Sequence, residues 1–362
     1  MLCCTIFIVP GEASEGAFKM ARKLKLALAV SAALCLGIAA LAAAPRPRVQ
    51  GAGGSPAPDS HAELKTLKIT ILSTMLADDG IGEWGFSALV EADGHKILFD
   101  TGAHPNTVLE NAKELKIDLS DVQEVILSHF HDDHTTGLMT LRREYATKNP
   151  NALSRVHVAK GIFLERRDKD GNFQAAIGAT NPMIAMKKEF EASGGKFIEH
   201  DKADEIFPGI WQTGPVPRIY PEKNYAAGIE VKEDGKWVED DVPDDQSLVF
   251  NTDRGLVLLA GCGHSGIINT LAYARKEIRL APVDAAIGGF HLFNATDETL
   301  DWTADRLKEF QTAQLMGAHC TGIESVYHLR QKMGLNRHNC VVGTVGATFD
   351  LKDGIKTGRI AK

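Results

Sequence analysis

Residues 128–137 of the 362-residue chain read SHFHDDHTTG and directly follow a short, fully apolar stretch that is typical of a buried strand. Imidazole and carboxylate groups are ligands that zinc prefers, and this segment places three of the former and two of the latter within six residues. A loop that leaves a strand can turn His129 and His131 toward one metal ion while Asp133 and His134 face another. The alternative is a solvated loop without an ion, but the preceding strand and the histidines farther along the chain favour a two-metal site.

The pattern H-x-H-x-D-H at these positions resembles the signature of the metallo-β-lactamase superfamily, and the resemblance extends over nearly all of residues 65–350. It implies a four-layer αββα sandwich of the α/β class, with the metal ions at one edge of the two sheets. The sequence FDTG at 99–102 resembles the family's first motif. By that resemblance, Asp100 ends a strand and supports the metal loop through hydrogen bonds without binding metal. Asp132 is expected to help orient the same loop.

Two departures from the family pattern affect the ligand set. The family's third motif, a Gly-His pair followed by Thr or Ser, Pro and Gly, has no counterpart in the expected interval, where residues 212–218 read QTGPVPR. The family also ends a strand in Gly-Asp, with that aspartate bridging the metals, whereas this sequence reads GCGHSG at 261–266. The resemblance therefore places Cys262 at the bridging position. Two alternatives stand, because a thiolate can bind zinc: Cys262 bridges the metals, or it is a buried apolar residue and His264 does the binding.

Two further histidines each follow an apolar strand. His319, in GAHCTG at 317–322, matches the family's final histidine and is expected to bind the second metal. His291 lies in GGFHL at 288–292. It is interpreted as a substrate contact or a partner of a metal ligand in preference to a ligand, because metal-bound histidines need a fixed acceptor on their other nitrogen. Cys320, beside His319, is expected to pack in the core.

These variants narrow the resemblance to one branch of the superfamily. Together with DDQSL at 244–248, the segments around Cys262, His291 and His319 are similar to the dihydropterin synthase-like branch. That branch is named for an archaeal enzyme that joins a dihydropterin to a ribofuranosyl-aminobenzene phosphate, and many of its members are called metal-dependent hydrolases. The named reaction does not transfer directly, since an exported protein would meet neither substrate outside the cell.

The resemblance implies two divalent metal ions, with zinc as the expected metal. It also implies hydrolysis of a small-molecule ester, lactone, amide or phosphoester by a metal-bound hydroxide. Zinc suits this chemistry because it lowers the pKa of its bound water from 15.7 to roughly 7. The implied ligand sets are His129, His131 and His264 for the first ion, Asp133, His134 and His319 for the second, and Cys262 at or near the bridge. Asp133 and His291 are the expected catalytic groups, and Arg218 is a candidate for holding an anionic substrate group.

Other functions compete with hydrolysis. One is transferase chemistry like that of the branch's namesake, in which the metals would bind a diphosphate leaving group. Another is a metal-holding binding module without turnover, which the missing third motif favours. An oxygen-reducing di-iron site is disfavoured because such sites usually have a carboxylate where His131 stands, and β-lactam hydrolysis is disfavoured by the missing third motif.

The rest of the body alternates strands and helices, which predicts two sheets with helices outside them. In the N-terminal half, a hairpin around Asp93-Gly94, a helix over 105–115 and a strand over 122–127 lead into the metal loop. Residues 160–205 give few signals beyond a helix near 183–191 and are interpreted as an insertion beside the site. The C-terminal half predicts strands at 246–251, 255–260, 283–287, 313–317 and 340–349, and helices at 267–278, 297–311 and 324–333.

The first 44 residues are expected to be a signal peptide or an N-terminal membrane anchor. Basic residues after Met20 precede a nineteen-residue apolar run at 26–44, a layout typical of export signals and just long enough to span a bilayer. Residues 45–64 are interpreted as a flexible linker and residues 65–362 as one catalytic domain. We therefore expect a periplasmic or secreted protein whose only membrane contact is through the anchor.

Composition and charge limit the classes of molecule that the protein is expected to bind. The chain is 44% hydrophobic and 24% charged, which is typical of a globular enzyme with a sizeable core. Its net charge of −7 opposes binding to nucleic acid, so a small-molecule substrate is expected. Six cysteines are too few for a disulfide scaffold in a chain of this length, and residues 65–362 hold an odd number, Cys262, Cys320 and Cys340.

Overall fold

The computed structural model describes residues 61–171 and 181–361. The predicted signal peptide or anchor at 1–44, and residues 45–60 of the predicted linker, lie outside the described residues. The predicted linker boundary at residue 64 is too late, because Leu64 is fully buried and its N–H donates to the carbonyl of Asn251 at 2.8 Å. Within the described ranges, no helix is both long enough and apolar enough to cross a bilayer.

Eight strands of the described residues form the first large sheet. From one edge to the other they are β18 (Gly354–Lys356), β17 (Thr348–Asp350), β1 (Leu67–Ser73), β2 (Ser87–Ala92), β3 (His95–Phe99), β4 (Glu124–Ile126), β5 (Arg155–Ala159) and β7 (Lys196–His200). The hairpin between β2 and β3 turns at Asp93 and Gly94, whose φ angles of 43° and 86° fit the tight turn that an Asp-Gly pair predicts. Because β3, β4, β5 and β7 are parallel, their carboxyl ends share one edge.

The second large sheet has seven strands in the described part of the chain. In spatial order they are β16 (Cys340–Val342), β15 (Gln314–Gly317), β14 (Val283–Gly288), β13 (Gly255–Ala260), β12 (Ser247–Thr252), β9 (Ile210–Gln212) and β8 (Asp204–Phe207). The strands from β13 to β16 are parallel, and both faces of the sheet are apolar. In β12, for example, Leu248 and Phe250 face the other sheet while Val249 packs against the outer helices.

Three apolar clusters hold four layers together. The middle cluster joins the inner faces of the two sheets through side chains such as Ile69 and Leu259. The outer clusters pack one group of helices on each sheet. On the first sheet these are α1 (Thr107–Glu114), α3 (Leu138–Ala146) and α4 (Pro182–Ala192); on the second they are α5 (Ile267–Glu277), α6 (Asp297–Glu309) and α7 (Ile323–Met333); a single turn, α2 (Asp132–Thr135), lies in the metal loop. The predicted αββα sandwich is confirmed.

Two parts of the chain differ from the predicted elements. The predicted final strand at 340–349 is two strands in different sheets, β16 and β17, because the chain turns between them at Gly346, where φ is 81°. A continuous apolar run cannot show such a change of sheet, since both strands face the same core. The weakly patterned region at 160–205 contributes β7 and β6 (Arg166–Asp168), and β6 forms a small third sheet with the later strands β10 (Ile229–Glu233) and β11 (Lys236–Glu239).

The parallel strands place the sequence motifs at a common edge. Ala260, Gly288 and Gly317 are aligned at the ends of β13, β14 and β15. Phe99 and Ile126 are aligned in the same way at the ends of β3 and β4. Every candidate ligand follows one of these strand ends within about ten residues, and the carboxyl ends of parallel strands are where ligands bind in such sheets.

Candidate metal centre

The loops after these strands bring most of the predicted site residues together. Four overlapping groups each offer three ligand atoms that lie within 4.8 Å of one another. The groups are His129, Cys262 and His264; His134, Cys262 and His319; His129, Asp133 and His134; and Cys262, His291 and Cys320. Cys262 belongs to three of the four groups. Cys262 and His264, which the sequence presented as alternatives, therefore both reach the centre.

Three imidazole nitrogens converge on one point. Nε2 of His129 lies 2.8 Å from Nδ1 of His131 and 3.2 Å from Nε2 of His264. At most one of these contacts is a hydrogen bond to the single lone pair on His129 Nε2. The lone pair of His264 Nε2, whose ring proton is on Nδ1, therefore faces another nitrogen, an arrangement that a cation between the rings would satisfy.

The outer nitrogens of these rings are held by acceptors. His264 Nδ1 donates to the main-chain carbonyl of Asn224. His129 Nδ1 lies 2.9 Å from the hydroxyl of Ser128, and because that hydroxyl donates its own proton to Asp100 at 2.7 Å, it accepts from His129. An acceptor on Nδ1 fixes the tautomer that leaves Nε2 free for a metal ion.

Asp100 organises the metal loop from below. Its carboxylate is fully buried and accepts from Ser128 N and from Nδ1 of His134, each at 2.7 Å. Its backbone is left-handed, with φ of 55°, and the same is true of His291 at 50° and His319 at 44°. Non-glycine residues adopt this conformation rarely, and such residues cluster at functional sites.

Three buried ring nitrogens at the centre have no hydrogen-bond partner in the part of the chain that the structure describes: Nε2 of His134 and both Nδ1 and Nε2 of His319. Asp133 lies between the two rings, with Oδ1 3.7 Å from Nε2 of His134 and Oδ2 3.3 Å from Nε2 of His319. Buried polar atoms are otherwise almost always paired. The orphaned nitrogens, with a donor set of imidazole, carboxylate and thiol, fit the ligands that zinc takes in proteins.

Burial determines the protonation state of the first set of imidazoles, which comprises His129, His131 and His264. It lowers the pKa of His129 and His131 well below the usual value and that of His264 to about 4, and neighbouring imidazoles add to the effect. These rings are neutral at pH 7, which is the form that binds metal.

The second set of candidate ligands, which comprises Asp133, His134 and His319, carries more charge. Burial lowers the pKa of His319, but Cys320 and Asp133 outweigh that effect and raise it to about 10. Burial raises the pKa of Asp133, whereas the His134 and His319 charges hold it well below its usual range. At neutral pH the ionised carboxylate of Asp133 therefore lies between the imidazoles of His134 and His319.

A cavity of about 510 Å³ opens over these groups. Its lining includes His131, Asp133, Cys262, His264, His291 and Cys320, together with Trp84 and Phe293 at a partly exposed rim. A second cavity of about 740 Å³ shares Ala226, His291 and Phe293 with the first. The two cavities together can take a substrate larger than either alone.

The structure places Arg218 away from its expected role, whereas Asp132 lies in the metal loop as expected. Arg218 does not line either cavity, because its guanidinium pairs with Asp241 at 3.2 Å and donates to main-chain carbonyls. Asp132 lines the first cavity with an exposed side chain, and it holds the loop through its carbonyl, which accepts from Thr136 N and Oγ1.

The DDQ part of the segment at 244–248 braces the metal loops. Asp245 accepts from the main-chain N–H of Ser265 at 2.9 Å, next to His264. Gln246 donates from its main-chain N–H to the carbonyl of Ser128 at 2.9 Å, beneath His129. The sequence singled out this segment but gave it no role, which only the long-range contacts show.

Arg166 is a further buried residue that the sequence analysis missed. It is about 1% exposed and pairs with Asp244 and, at 2.8 Å, with Asp240. Its guanidinium also lies 3.5 Å from the centre of the Phe130 ring, in the middle of the metal loop. Burial raises the pKa of Asp244 to about 6, although Arg166 opposes that shift.

The segment at 219–226 lines the second cavity through residues 221–226 and is tied to α5. Its Glu222 accepts from the main-chain N–H groups of Ile268 at 3.1 Å and Asn269 at 2.8 Å. Asn269 Oδ1 in turn accepts from Ile219 N and Tyr220 N. These contacts fix the carbonyl of Asn224 against His264.

The stability of this segment should depend on pH through Glu222. Burial raises the pKa of its carboxyl to about 7 against 4.5 in the unfolded chain, in spite of the two N–H donors. Because the folded-state pKa is raised, the native state binds the extra proton, and the contribution to stability is lost as pH rises from about 4.5 to about 7. In Glu222→Gln this loss is expected to shrink by about 1–3 kcal/mol.

Urea unfolding of both proteins at pH 5 and pH 8 measures that difference. Glu144→Gln, which alters an exposed carboxyl on α3, is the matched control and should follow the wild type at both pH values. Equal pH dependence in the wild type and Glu222→Gln would contradict the assignment.

Residues 85–278, more than half of the chain, match the family profile described as the metallo-beta-lactamase superfamily. A 7,8-dihydropterin-6-methyl-4-(beta-D-ribofuranosyl)-aminobenzene-5'-phosphate synthase of Methanocaldococcus jannaschii is 31% identical over 248 residues, which cover 67% of this chain and 82% of the relative. An uncharacterized protein of the same organism is 33% identical over 265 residues, 72% of this chain and 91% of the relative. A solved metal-dependent hydrolase of the beta-lactamase superfamily has a TM-score of 0.62 and 25% identity, and the match covers 78% of this chain and 98% of that one.

Proposed function

The chain belongs to the metallo-beta-lactamase superfamily, and we propose that it is a metal-dependent hydrolase of a small ester, lactone, amide or phosphoester. The observation that carries the proposal is the donor set at the strand ends. Two sets of imidazoles, His129 with His264 and His134 with His319, share Cys262 at the bottom of an open cavity. In His129, His134 and His264 one ring nitrogen faces the centre and the other hydrogen-bonds to an acceptor.

In this proposal His129, His131, His264 and Cys262 would hold one divalent ion, and Asp133, His134, His319 and Cys262 would hold the other. A bound zinc ion supplies Lewis acidity and lowers the pKa of water to about 7. The acceptors Ser128, Asp100 and Asn224 keep the imidazoles oriented for that task.

Two side chains would act directly on the reacting groups. Asp133 is ionised and lies close to both His134 and His319, so its carboxylate can accept a hydrogen bond from a nucleophile between the two sets and orient it. His291 lines both cavities and is partly exposed, with Nδ1 3.8 Å from the sulfur of Cys262. It would give a proton to the leaving group of a substrate that spans the cavities.

A transferase is the second candidate. The synthase named among the relatives joins two molecules, and the adjoining cavities of about 510 and 740 Å³ would suit two substrates side by side. In that reaction the residues of the centre would bind a diphosphate leaving group through the metal ions that they hold. A non-catalytic module that only holds metal is the third.

We also propose an exported protein that acts on a small molecule and does not bind nucleic acid. The support is the basic and apolar pattern at residues 20–44 and the net charge of −7. Membrane contact, in this proposal, is confined to that N-terminal segment.

A substrate panel with metal analysis tests the proposed function. We expect the purified full chain to hold about two zinc ions and to hydrolyse at least one ester, lactone, amide or phosphodiester, with activity lost on chelation and regained with zinc. Release of diphosphate from a dihydropterin diphosphate, with no turnover of the other compounds, would instead identify a transferase. Bound metal without turnover of any compound would identify the binding module.

A further inference from the structure

We propose that Cys262 and Cys320 form a reversible disulfide site at the floor of the metal cavity. Oxidation would withdraw the sulfur of Cys262 from the metal ligands and so switch the centre off. The effect on metal rests on the proposed function, whereas the formation of the bond does not.

The two sulfur atoms are already close. They lie 3.1 Å apart, and the two residues are 3% and 0% exposed. Two thiolates that share one tetrahedral zinc ion, each about 2.3 Å from it, are about 3.8 Å apart. The observed separation is shorter than that, and about 1 Å of movement closes it to a disulfide of about 2.05 Å.

The strand between them leaves this approach open. Cys262 follows β13 and Cys320 follows β15, and β14 lies between those strands in the sheet. Beyond the end of β14 the chain continues as Gly289, where an added Cβ would lie 2.9 Å from the sulfur of Cys320 and 2.1 Å from the carbonyl oxygen of Gly261. Glycine is therefore the residue that lets the two thiols meet across an intervening strand.

A small oxidant can reach Cys262, which lines the 510 Å³ cavity and keeps 3% of its surface exposed. With hydrogen peroxide, the sulfur of Cys262 attacks one oxygen, the O–O bond breaks, and the departing hydroxide takes the thiol proton and leaves as water. The sulfur of Cys320 then attacks that of Cys262, the S–O bond breaks, and a second water leaves with the Cys320 proton. The two thiols lose two electrons and the peroxide gains them.

Cys340 provides an internal comparison. It is fully buried in β16, where its thiol donates to the carbonyl of Val326 at 3.7 Å. Burial raises its pKa to about 11. Neither of the other two described cysteines contacts it, so it should stay reduced under the same treatment.

The experiment treats the full chain with hydrogen peroxide, traps the remaining thiols by alkylation, and maps the peptides by mass spectrometry, with bound metal measured in parallel. We expect a cross-linked peptide pair carrying Cys262 and Cys320, alkylated Cys340, and a fall in metal from about two ions per chain to about one or fewer. Dithiothreitol followed by zinc should restore the starting value. In Cys320→Ser, peroxide should cause no such cross-link, and Cys340→Ser should behave as the wild type.

Each outcome tests a separate part of the proposal. Absence of the 262–320 cross-link, or oxidation of Cys262 to sulfinic acid in its place, overturns the disulfide site. A complete cross-link with full retention of metal overturns the switch. If the untreated chain holds no metal, the proposed function fails, while the peptide map still decides whether the disulfide site exists.

Discussion

His131→Ala is expected to lower turnover by at least about 1000-fold and to remove about one metal ion per chain. Polarisation of a substrate by a bound metal is worth several kcal/mol, and each 1.4 kcal/mol is a factor of ten in rate. The substitution removes Nδ1, which lies 2.8 Å from Nε2 of His129 in the cluster of three nitrogens. Because His131 is partly exposed at the start of α2, its removal should leave the fold intact.

Metal analysis and kinetics on the best substrate of the panel measure both effects, and circular dichroism shows that the variant is folded. His104→Ala is the matched control for metal content, since His104 lines the same cavity but its ring hydrogen-bonds with Glu83. A folded His131→Ala protein with full metal content and full activity would show that the ligand assignment is wrong.

Arg166→Met is expected to lower the free energy of unfolding at pH 8 by about 3–5 kcal/mol, the usual cost of breaking a buried ion pair. Methionine fills much of the same volume but leaves the buried carboxylates of Asp240 and Asp244 without their cation. The folded-state pKa of Asp244, raised by burial, should rise further, so the native state takes up a proton as pH falls. The destabilisation should therefore be smaller at pH 5 than at pH 8.

Urea denaturation of wild type and variant at the two pH values gives these free energies. Arg143→Met is the control, because Arg143 pairs with Glu189 on the surface, where ion pairs contribute about 0–1 kcal/mol. If both variants lost the same free energy of unfolding, the buried ion pairs of Arg166 would contribute no more to stability than the surface pair. Metal affinity should also fall in Arg166→Met, since the guanidinium supports Phe130 within the metal loop.

Local sequence patterns were sufficient for the layers of the fold and for the strand ends that carry the ligands. Short continuous apolar runs predict β12 and β13, and the Asp93-Gly94 pair predicts the hairpin between β2 and β3, because both signals lie within a few residues. The metal loop at 128–137 is equally local. Its chemistry can therefore be recognised without knowing what packs against it.

The supporting contacts could not be predicted in the same way. The acceptor for His264 is the main-chain carbonyl of Asn224, forty residues away, and every residue type has such a carbonyl. Arg166 and Asp244 are separated by 78 residues, and each alone has the composition of an ordinary surface residue. Cys320 was expected only to pack in the core, but the neighbour that gives it a further role is a second cysteine 58 residues away.

The alignment of β3, β4, β13 and β15 at one edge has a consequence for how the protein matures. Asp100 and His319 are separated by more than two hundred positions, so a nascent chain cannot assemble the centre until the β15 segment has been synthesised. Contacts between residues so far apart in the sequence raise contact order and slow folding. The ligand cluster is therefore a late product of folding, and metal uptake reports that both halves of the chain have reached their native arrangement.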